Sequence, residues 1–352
     1  MKNLSKLSIS EREFCSWSEL DGETIFITGG SGFFGTALLY SLLEAKKIRL
    51  DLNIKVTVLT RNISALKLNN PSLVESNFIE LLEGNVINFN FPNQKFSKIF
   101  HLATTSASET FKGEDQHRKY KTLVDGTERV LQFAVQCNAD KILFTSSGVV
   151  YGEFPEGMKA VKESYSGGLD TNSALSALAQ GKRGAEFLIS SYADKYGFDY
   201  VIARCFSLVG PFLPLNLHYA IGNFVFEALH KDIIEVKGDG KAFRSYLDVN
   251  DLTVWLLRLM STKCNHSVYN VGSDQPVSIL NLAEKIRNII SPSKKIKIHG
   301  DATYVVGNFS RDYYVPNINR AKNELDLDVW IDLDQAIRRL NDGANMNEQQ
   351  SY

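Results

Sequence analysis

The sequence predicts an α/β fold, in which helices cover both faces of a doubly wound parallel sheet and a smaller C-terminal region follows. Short apolar runs rich in β-branched residues alternate with longer segments of helical period. The first of these runs leads directly into a glycine-rich turn. The chain has 352 residues, of which 44% are hydrophobic and 22% charged, so it can build one large or two small globular domains.

Composition argues against several classes of protein. The formal net charge of -1 gives no electrostatic reason to expect nucleic acid or an anionic membrane as a partner. Four scattered cysteines predict neither a metal site nor a disulfide framework, so we expect a cytoplasmic protein without metal. No apolar stretch reaches the length of a membrane span, and residues 1–21 are predicted to be an N-terminal extension rather than a signal peptide.

The glycine-rich turn lies between a predicted strand, Thr24–Thr28, and a predicted helix. Such a turn holds a diphosphate: Gly29 permits the sharp bend, Gly32 lets the phosphates approach, and Gly35 lets the helix lie close to the strand. The N–H groups at the helix start then face the anion. The motif predicts a Rossmann-type dinucleotide site, contacted by Gly29, Ser31, Gly32, Phe33, Phe34 and Gly35.

This glycine spacing, with Thr28 before it and Phe33 within it, resembles the extended short-chain dehydrogenase/reductase family. The resemblance is to the branch of NAD-dependent nucleotide-sugar epimerases and dehydratases, and it covers residues 22–340. It implies a nucleotide-sugar substrate and three divisions of the chain: an NAD(P)-binding Rossmann domain (22–207), a mainly substrate-binding region (208–340) and a polar tail (341–352).

The remaining elements are predicted in order along the chain. Further strands are expected at Ile54–Leu59, Phe78–Val86, Lys98–Ala103, Lys141–Phe144 and Tyr200–Phe206. Helices are expected over Tyr120–Cys137 and Asn172–Tyr192, and in proteins that resemble this one they pair across a two-fold axis, so we expect a homodimer. Gly238–Gly240 is predicted to be a hairpin turn, and Asp251 a helix cap or a structural acid.

The second strand ends at Thr60 and Arg61 without an acidic residue. An acid there binds the ribose 2′-hydroxyl of NAD, whereas an arginine suits the 2′-phosphate of NADP. We therefore expect NADP, with NAD as the alternative if Arg61 is only a solvated loop charge. The resemblance implies further cofactor contacts at Asn85, Val86 and Ala103.

The fifth strand runs into Thr145–Gly152, a specific landmark of the family. Ser147 matches the active-site serine that binds the reacting substrate oxygen. Dehydratases of the family usually carry an Asp-Glu pair directly afterwards, where this chain has Gly148 and Val149. A dehydratase would therefore lack its acid–base pair. His101 is expected to be a packed structural histidine.

Only half of the family's Tyr-x-x-x-Lys motif is present in this chain. Lys182 matches the lysine and Leu178 stands in the tyrosine position, and no tyrosine of the chain has a lysine four residues later. The lysine normally binds the nicotinamide ribose and lowers the phenol pKa. Lys182 can still bind the ribose, but the proton must come from water through Ser147 or from a nearby tyrosine such as Tyr151.

The leading functional prediction is an enzyme that transfers hydride at C4 of a nucleotide-activated sugar, as a 4-ketosugar reductase or an epimerase. A dehydratase remains an alternative, because some dehydratases of amino sugars carry methionine at the position of Leu178. A catalytically degenerate NADP-binding regulator or scaffold is a third reading. The substrate contacts that the resemblance implies are Ser106, Ser147, Asn223, Arg244 and Arg311.

Overall fold

The computed structural model of the protein describes residues 8–104, 113, 115–215, 217, 219–264, 266–300 and 313–349, without the side chains of residues 74 and 346–349. Two of the predicted substrate contacts, Ser106 and Arg311, lie outside these ranges.

The described chain contains both strands and helices. The strands are β1 (Thr24–Thr28), β2 (Lys55–Thr60), β3 (Ile79–Glu83), β4 (Lys98–His101), β5 (Lys141–Ser147), β6 (Asp199–Cys205), β7 (Leu208–Val209), β8 (Ile233–Val236), β9 (Phe243–Arg244), β10 (Leu247–Asp248), β11 (Val268–Val271), β12 (Val277–Ser278), β13 (Lys295–Ile298) and β14 (Tyr313–Tyr314). The α-helices are α1 (Ile9–Ser18), α2 (Phe33–Ile48), α3 (Ile63–Asn69), α4 (Pro71–Val74), α5 (Gln116–Cys137), α6 (Ala177–Tyr196), α7 (Ala220–His230), α8 (Val249–Ser261), α9 (Ile279–Ile290), α10 (Asn319–Leu325) and α11 (Leu333–Gln349).

The central sheet has seven parallel strands in the order β11-β6-β5-β4-β1-β2-β3. The chain runs outward from β1 to β3 and then continues from β4 on the other side of β1. Strand order therefore reverses between β1 and β4, which is the point where folds of this type bind ligands at the carboxyl ends of the strands. This topology confirms the predicted doubly wound parallel sheet and brings the glycine turn after β1 to that point.

The sheet is buried on both faces because its strands are apolar at successive positions. Ile25 and Ile27 of β1 pack in one core cluster with residues of α2 and α8. Phe26 points to the opposite face and packs with residues of α5 and α6. Alternation of side chains along a strand produces this division, so helices must cover both sides of the sheet.

The C-terminal part has a smaller core, built mainly by α7, α9 and α11. The predicted hairpin at Gly238–Gly240 is wrong. Strand β8 pairs in parallel with the distant β13, and β9 pairs with β12 and β14. Pairing with β13 buries Ile234 and Val236 in the small core, and the carbonyl of Gly240 accepts from the N–H of Leu280. Pairing of β8 with a strand far along the chain therefore overrides the local preference of the glycine pattern for a hairpin.

The chain returns to the central sheet after residue 208, through α8 and β11. The side chain of Asp248 caps α8 by accepting from the N–H of Asn250. The sequence left two roles open for Asp251. In the structure it is a structural acid and not the cap of α8. Its buried Oδ2 accepts from the N–H groups of Trp330 and Ile331, both at 2.9 Å.

The two ends of the described chain are both helical. Trp17 of α1 is fully buried, and its indole N–H donates to Ser41 Oγ on α2 at 2.8 Å. Helix α11 continues to Gln349, so the polar segment predicted from residue 341 begins inside this helix. No helix of the described chain combines the length and apolarity that crossing a bilayer requires.

Candidate active site

The glycine turn after β1 is shaped by backbone contacts that exclude side chains. A Cβ on Gly29, whose φ is +76°, would lie 2.7 Å from Ala103 N at the end of β4. A Cβ on Gly35 would lie 2.4 Å from Gly29 O. Gly32 begins α2 and gives it no side-chain cap. These features leave a backbone-lined cradle at a helix N-terminus, which suits a diphosphate.

Gly30 is a further constrained position, which the sequence analysis missed. A Cβ there would lie 2.3 Å from Val58 Cγ1 on β2. Ser31 is exposed at the turn, and Phe33 and Phe34 are half-buried against the core clusters. The consecutive glycines were visible in the sequence, but only the packing of β1 on β2 shows why Gly30 has no room for a side chain.

The predicted adenosine side of the site follows β2 and β3. Arg61 is exposed directly after the end of β2. Asn85 is half-buried after β3, and its Oδ1 accepts from the N–H of Ile87 at 3.2 Å. Val86 packs against Gly126 of α5, where a Cβ would lie 3.0 Å from Val86 Cγ1. These residues flank the cradle because parallel strands end at the same edge of the sheet.

Ser147 ends β5, and Lys182 contacts the same strand two residues earlier. Ser147 Oγ accepts from the N–H of Val149 at 3.3 Å, so the serine keeps its own proton to donate. The buried ammonium of Lys182 donates to the carbonyl of Thr145 at 2.7 Å and lies 4.5 Å from the ring centre of Phe144. Burial lowers the pKa of Lys182 to about 8. The group is therefore still mostly charged at neutral pH.

A buried ion pair fixes the helix that carries Lys182. Glu186, one turn further along α6, binds the guanidinium of Arg204 on β6 through two hydrogen bonds of 3.1 and 2.6 Å. The same carboxylate accepts from Ser146 Oγ on β5. Removing one partner of such a pair would leave an uncompensated buried charge. Glu186 therefore sets the position of Lys182 relative to β5.

The position one turn before Lys182 on α6 is occupied by an apolar residue. Leu178 lies one turn before Lys182 on α6 and is half-buried. Gly148 and Val149 offer no carboxylate after Ser147. A Cβ on Gly148 would lie 2.7 Å from the hydroxyl oxygen of Tyr314. Sequence reasoning missed Tyr314, whose hydroxyl lies next to the residue that follows Ser147.

Tyr151 is not a usable proton source, contrary to the sequence-based suggestion. Its ring is fully buried, and its hydroxyl donates to Asn270 Oδ1 at 2.7 Å. Burial raises the pKa of Tyr151 to about 12. Asn270 in turn donates to the carbonyls of Val161 and Asn317, so this tyrosine belongs to a structural network.

His101 is a packed histidine, as the sequence predicted. Its ring nitrogens lie 2.8 Å from Thr28 Oγ1 and 3.0 Å from Thr127 Oγ1. Burial, reinforced by the charge of Lys182, lowers the pKa of His101 to about 3. The imidazole is therefore neutral and joins β1, β4 and α5.

The predicted substrate contacts of the C-terminal part lie on α7 and β9. Asn223 of α7 has a buried Oδ1 for which the described chain supplies no hydrogen-bond partner. A buried carbonyl oxygen without a partner is costly, which fits a position that a ligand completes. Arg244 is half-buried on β9, opposite Tyr314 of β14.

Sequence comparison finds a matching family model and several relatives. A sequence profile described as the NAD dependent epimerase/dehydratase family matches residues 25–272. UDP-glucuronic acid decarboxylase 1 of Arabidopsis thaliana is 30% identical over 318 residues, which cover 90% of this chain and 68% of that protein. UDP-glucuronic acid decarboxylase 1 of Xenopus tropicalis is 28% identical over 285 residues, which cover 81% and 64%.

Solved structures share the fold. UDP-glucuronic acid 4-epimerase from Bacillus cereus, in complex with UDP-glucuronic acid and NAD, has a TM-score of 0.78 and 21% identity, covering 92% of this chain and 99% of that one. dTDP-glucose 4,6-dehydratase from Bacillus anthracis, in complex with NAD, has a TM-score of 0.74 and 19% identity, covering 94% and 98%. Because the profile match extends through the central sheet from β1 to β11, the chain belongs to the NAD-dependent epimerase/dehydratase family.

Proposed function

We propose that the protein is an NAD(P)-dependent enzyme that transfers hydride at C4 of a nucleotide-activated sugar, as a 4-ketosugar reductase or an epimerase. The observation that carries this proposal is the buried ammonium of Lys182, which is bound to the carbonyl of Thr145 two residues before Ser147. Burying a charged lysine is costly, and one backbone carbonyl uses only one of its three donors. A ligand hydroxyl at the carboxyl ends of the strands would use the others.

The site fits a nicotinamide dinucleotide. The exclusion of side chains at Gly29 and Gly35 gives a close-fitting backbone cradle for the diphosphate, and the uncapped start of α2 faces it. Lys182 would bind the hydroxyls of the nicotinamide ribose. The bound cofactor would supply hydride transfer, which no side chain can perform.

The other residues of the site act on the sugar nucleotide. Ser147 would donate its proton in a hydrogen bond to the C4 oxygen of the sugar, and the Lys182 charge would stabilise negative charge that develops there. Asn223 Oδ1 would gain the hydrogen-bond donor that it lacks. The guanidinium group of Arg244 would bind the diphosphate through paired hydrogen bonds.

A nucleotide-sugar decarboxylase is a second candidate, favoured by the sequence relatives. Oxidation at C4 of a sugar with a C5 carboxylate gives a β-keto acid, which readily loses CO₂, so this reaction begins with the same hydride transfer. A dehydratase is less well supported because Gly148 and Val149 supply no acid–base pair. Release of CO₂ from UDP-glucuronic acid would distinguish the decarboxylase.

A binding experiment separates the enzyme from a dinucleotide-binding regulator. Purified protein is titrated by calorimetry with NAD, NADP, UDP-glucose and UDP-glucuronic acid, and native mass spectrometry identifies ligands that copurify. We expect both ligand classes to bind. Asn223→Ala should weaken nucleotide-sugar binding by about tenfold, the value of one hydrogen bond, and leave dinucleotide binding unchanged. Binding of the dinucleotide alone would favour the regulator.

The preferred dinucleotide is tested at Arg61. We propose that Arg61 binds the 2′-phosphate of NADP, which its exposed position after β2 supports. Arg61→Ala should weaken NADPH binding by about 10–100-fold, the range for charge-assisted hydrogen bonds, with little change for NADH. Lys55→Ala, at the opposite end of β2, is the matched control. Equal losses for both cofactors would exclude the 2′-phosphate role.

We also propose a homodimer formed through α5 and α6. Phe187 of α6 is 70% exposed and Tyr120 of α5 is 40% exposed, which is unusual for large apolar side chains on helices that pack together. Phe187→Asp should convert a dimer to a monomer in light scattering at micromolar concentration. Leu68→Asp, at an 83% exposed position on α3, should have no effect. A monomeric wild-type protein would contradict the proposal.

The cellular location is proposed to be the cytoplasm. All four cysteines are described, and none of them is paired in a disulfide. Free thiols are typical of proteins in a reducing compartment, which supports this location.

A further inference from the structure

The proposed hydride transfer needs a proton donor that the sequence motif does not provide. Leu178 is apolar, and Gly148 and Val149 carry no acid. Tyr151 is engaged with Asn270. The group must nevertheless reach the carboxyl end of β5, where Ser147 lies. The proton donor is therefore expected to come from another part of the fold.

Tyr314 brings a phenol to that position from β14. Its hydroxyl oxygen is 2.7 Å from the place where a Cβ of residue 148 would stand. Gly148 follows Ser147 directly, so the phenol oxygen lies over the backbone beside the active-site serine. The Tyr314 ring packs on Phe206, which follows β6, with ring centres 4.7 Å apart. The ring is thus held by packing and its hydroxyl is directed toward the end of β5.

The Tyr314 phenol and the Phe206 ring together leave no room for a side chain at residue 148. The φ of Gly148 is not positive, so backbone conformation does not require glycine. A side chain there would collide with the Tyr314 hydroxyl and with the Phe206 ring, whose Cζ lies 2.7 Å from the Cβ position. The Tyr314 hydroxyl therefore occupies the space that a side chain at residue 148 would need.

The pairing of β14 also links the phenol to the substrate region. Tyr314 pairs with Arg244 across the parallel strands, and the neighbouring Tyr313 stacks on Phe243 with ring centres 4.6 Å apart. Paired residues of adjacent strands lie about 4.8 Å apart. A diphosphate held by Arg244 would bring the attached sugar close to the Tyr314 hydroxyl.

We propose that Tyr314 is a catalytic residue that exchanges the proton of the reacting sugar oxygen, in place of the phenol missing at residue 178. In the reductive direction, hydride from the reduced nicotinamide forms the new C–H bond at the ketone carbon, and the carbonyl π electrons move to oxygen. Tyr314 gives its proton to this oxygen, and the phenolate regains a proton from water. The reverse steps serve oxidation. This inference rests on the proposed function.

The test compares Tyr314→Phe with wild type. The substitution keeps the ring on Phe206 and removes only the hydroxyl. We expect kcat to fall by about 10²–10⁴-fold, the usual value of a positioned acid, while calorimetric Kd values for dinucleotide and nucleotide sugar stay unchanged. The limb of the kcat–pH profile that reports phenol ionisation should disappear. Tyr313→Phe is the matched control and should retain wild-type turnover.

The assays use UDP-glucose and UDP-glucuronic acid with NAD or NADP, and a 4-ketosugar nucleotide with NADPH. Gly148→Ala is the second variant: it displaces the hydroxyl without removing it, and we expect the same loss of kcat. Wild-type turnover in Tyr314→Phe would overturn the role of Tyr314 and leave the proposed function intact. Absence of turnover in the wild-type protein with every substrate would overturn both.

Discussion

Replacing Lys182 by methionine is expected to lower kcat/KM by about 10²–10³-fold, because the proposed role of this lysine is to supply a preorganised charge at the reacting centre. Methionine has a similar length and no charge, so packing beside Phe144 should be kept. Steady-state kinetics with the substrates above would measure the effect. An unchanged kcat/KM would contradict the assigned role.

Dinucleotide binding should depend on pH through the same lysine. The folded protein lowers the pKa of Lys182 from 10.5 to about 8. The ammonium fraction therefore falls as pH rises above 8, and the dinucleotide Kd of the wild-type protein should rise there. The Kd of Lys182→Met should be weaker at pH 7 and lack this dependence. A matching rise in the variant would assign the pH effect to another group.

Lys182→Met should also stabilise the fold, so a loss of activity in this variant would not be caused by unfolding. A lowered lysine pKa means that the folded state disfavours the charged form. The free-energy cost of keeping Lys182 charged in the folded state is fully present below about pH 8. It is relieved as pH rises toward 10.5. At pH 7, Lys182→Met should raise the free energy of unfolding by about 1–3 kcal/mol, measured by denaturant titration. Lys141→Met, a buried lysine at the other end of β5, should leave ligand binding unchanged.

Placing a phenol at residue 178 is expected to rescue the Tyr314→Phe variant. Leu178 lies one turn before Lys182 on α6, the spacing at which an ammonium lowers a phenol pKa. In the Tyr314→Phe background, Leu178→Tyr should raise kcat by about 10–10³-fold, part of the value of a positioned acid. Leu175→Tyr, at a 62% exposed position, is the matched control and should rescue nothing.

The wild-type background gives the complementary result. With Tyr314 in place, Leu178→Tyr should change kcat by less than about threefold, because a proton donor is already positioned. A large increase in that background would show that the native site lacks a donor, and would contradict the role of Tyr314. Dinucleotide and nucleotide-sugar Kd values are measured for each variant, so that a change in kcat can be separated from a change in binding.

Local patterns in the sequence were enough to predict much of the fold and part of the site. The apolar runs predicted β1 to β6, and the glycine spacing placed the cradle at the end of β1. Helix α5 starts at Gln116, earlier than the predicted Tyr120. Ser147, Lys182 and the apolar Leu178 could be proposed from the sequence because each is recognised by its distance from a landmark within the same element.

Only the tertiary structure decided the remaining features. Tyr314 reaches Gly148 through the pairing of β14 with β9, a contact between segments far apart in the chain. Tyr151, although close to Ser147 in sequence, is turned away to Asn270. Sequence spacing fixes neighbours within one helix or strand, because backbone geometry repeats at short range. Which side chains from different elements converge depends on how those elements bury their apolar faces, and that is settled only when the whole chain packs.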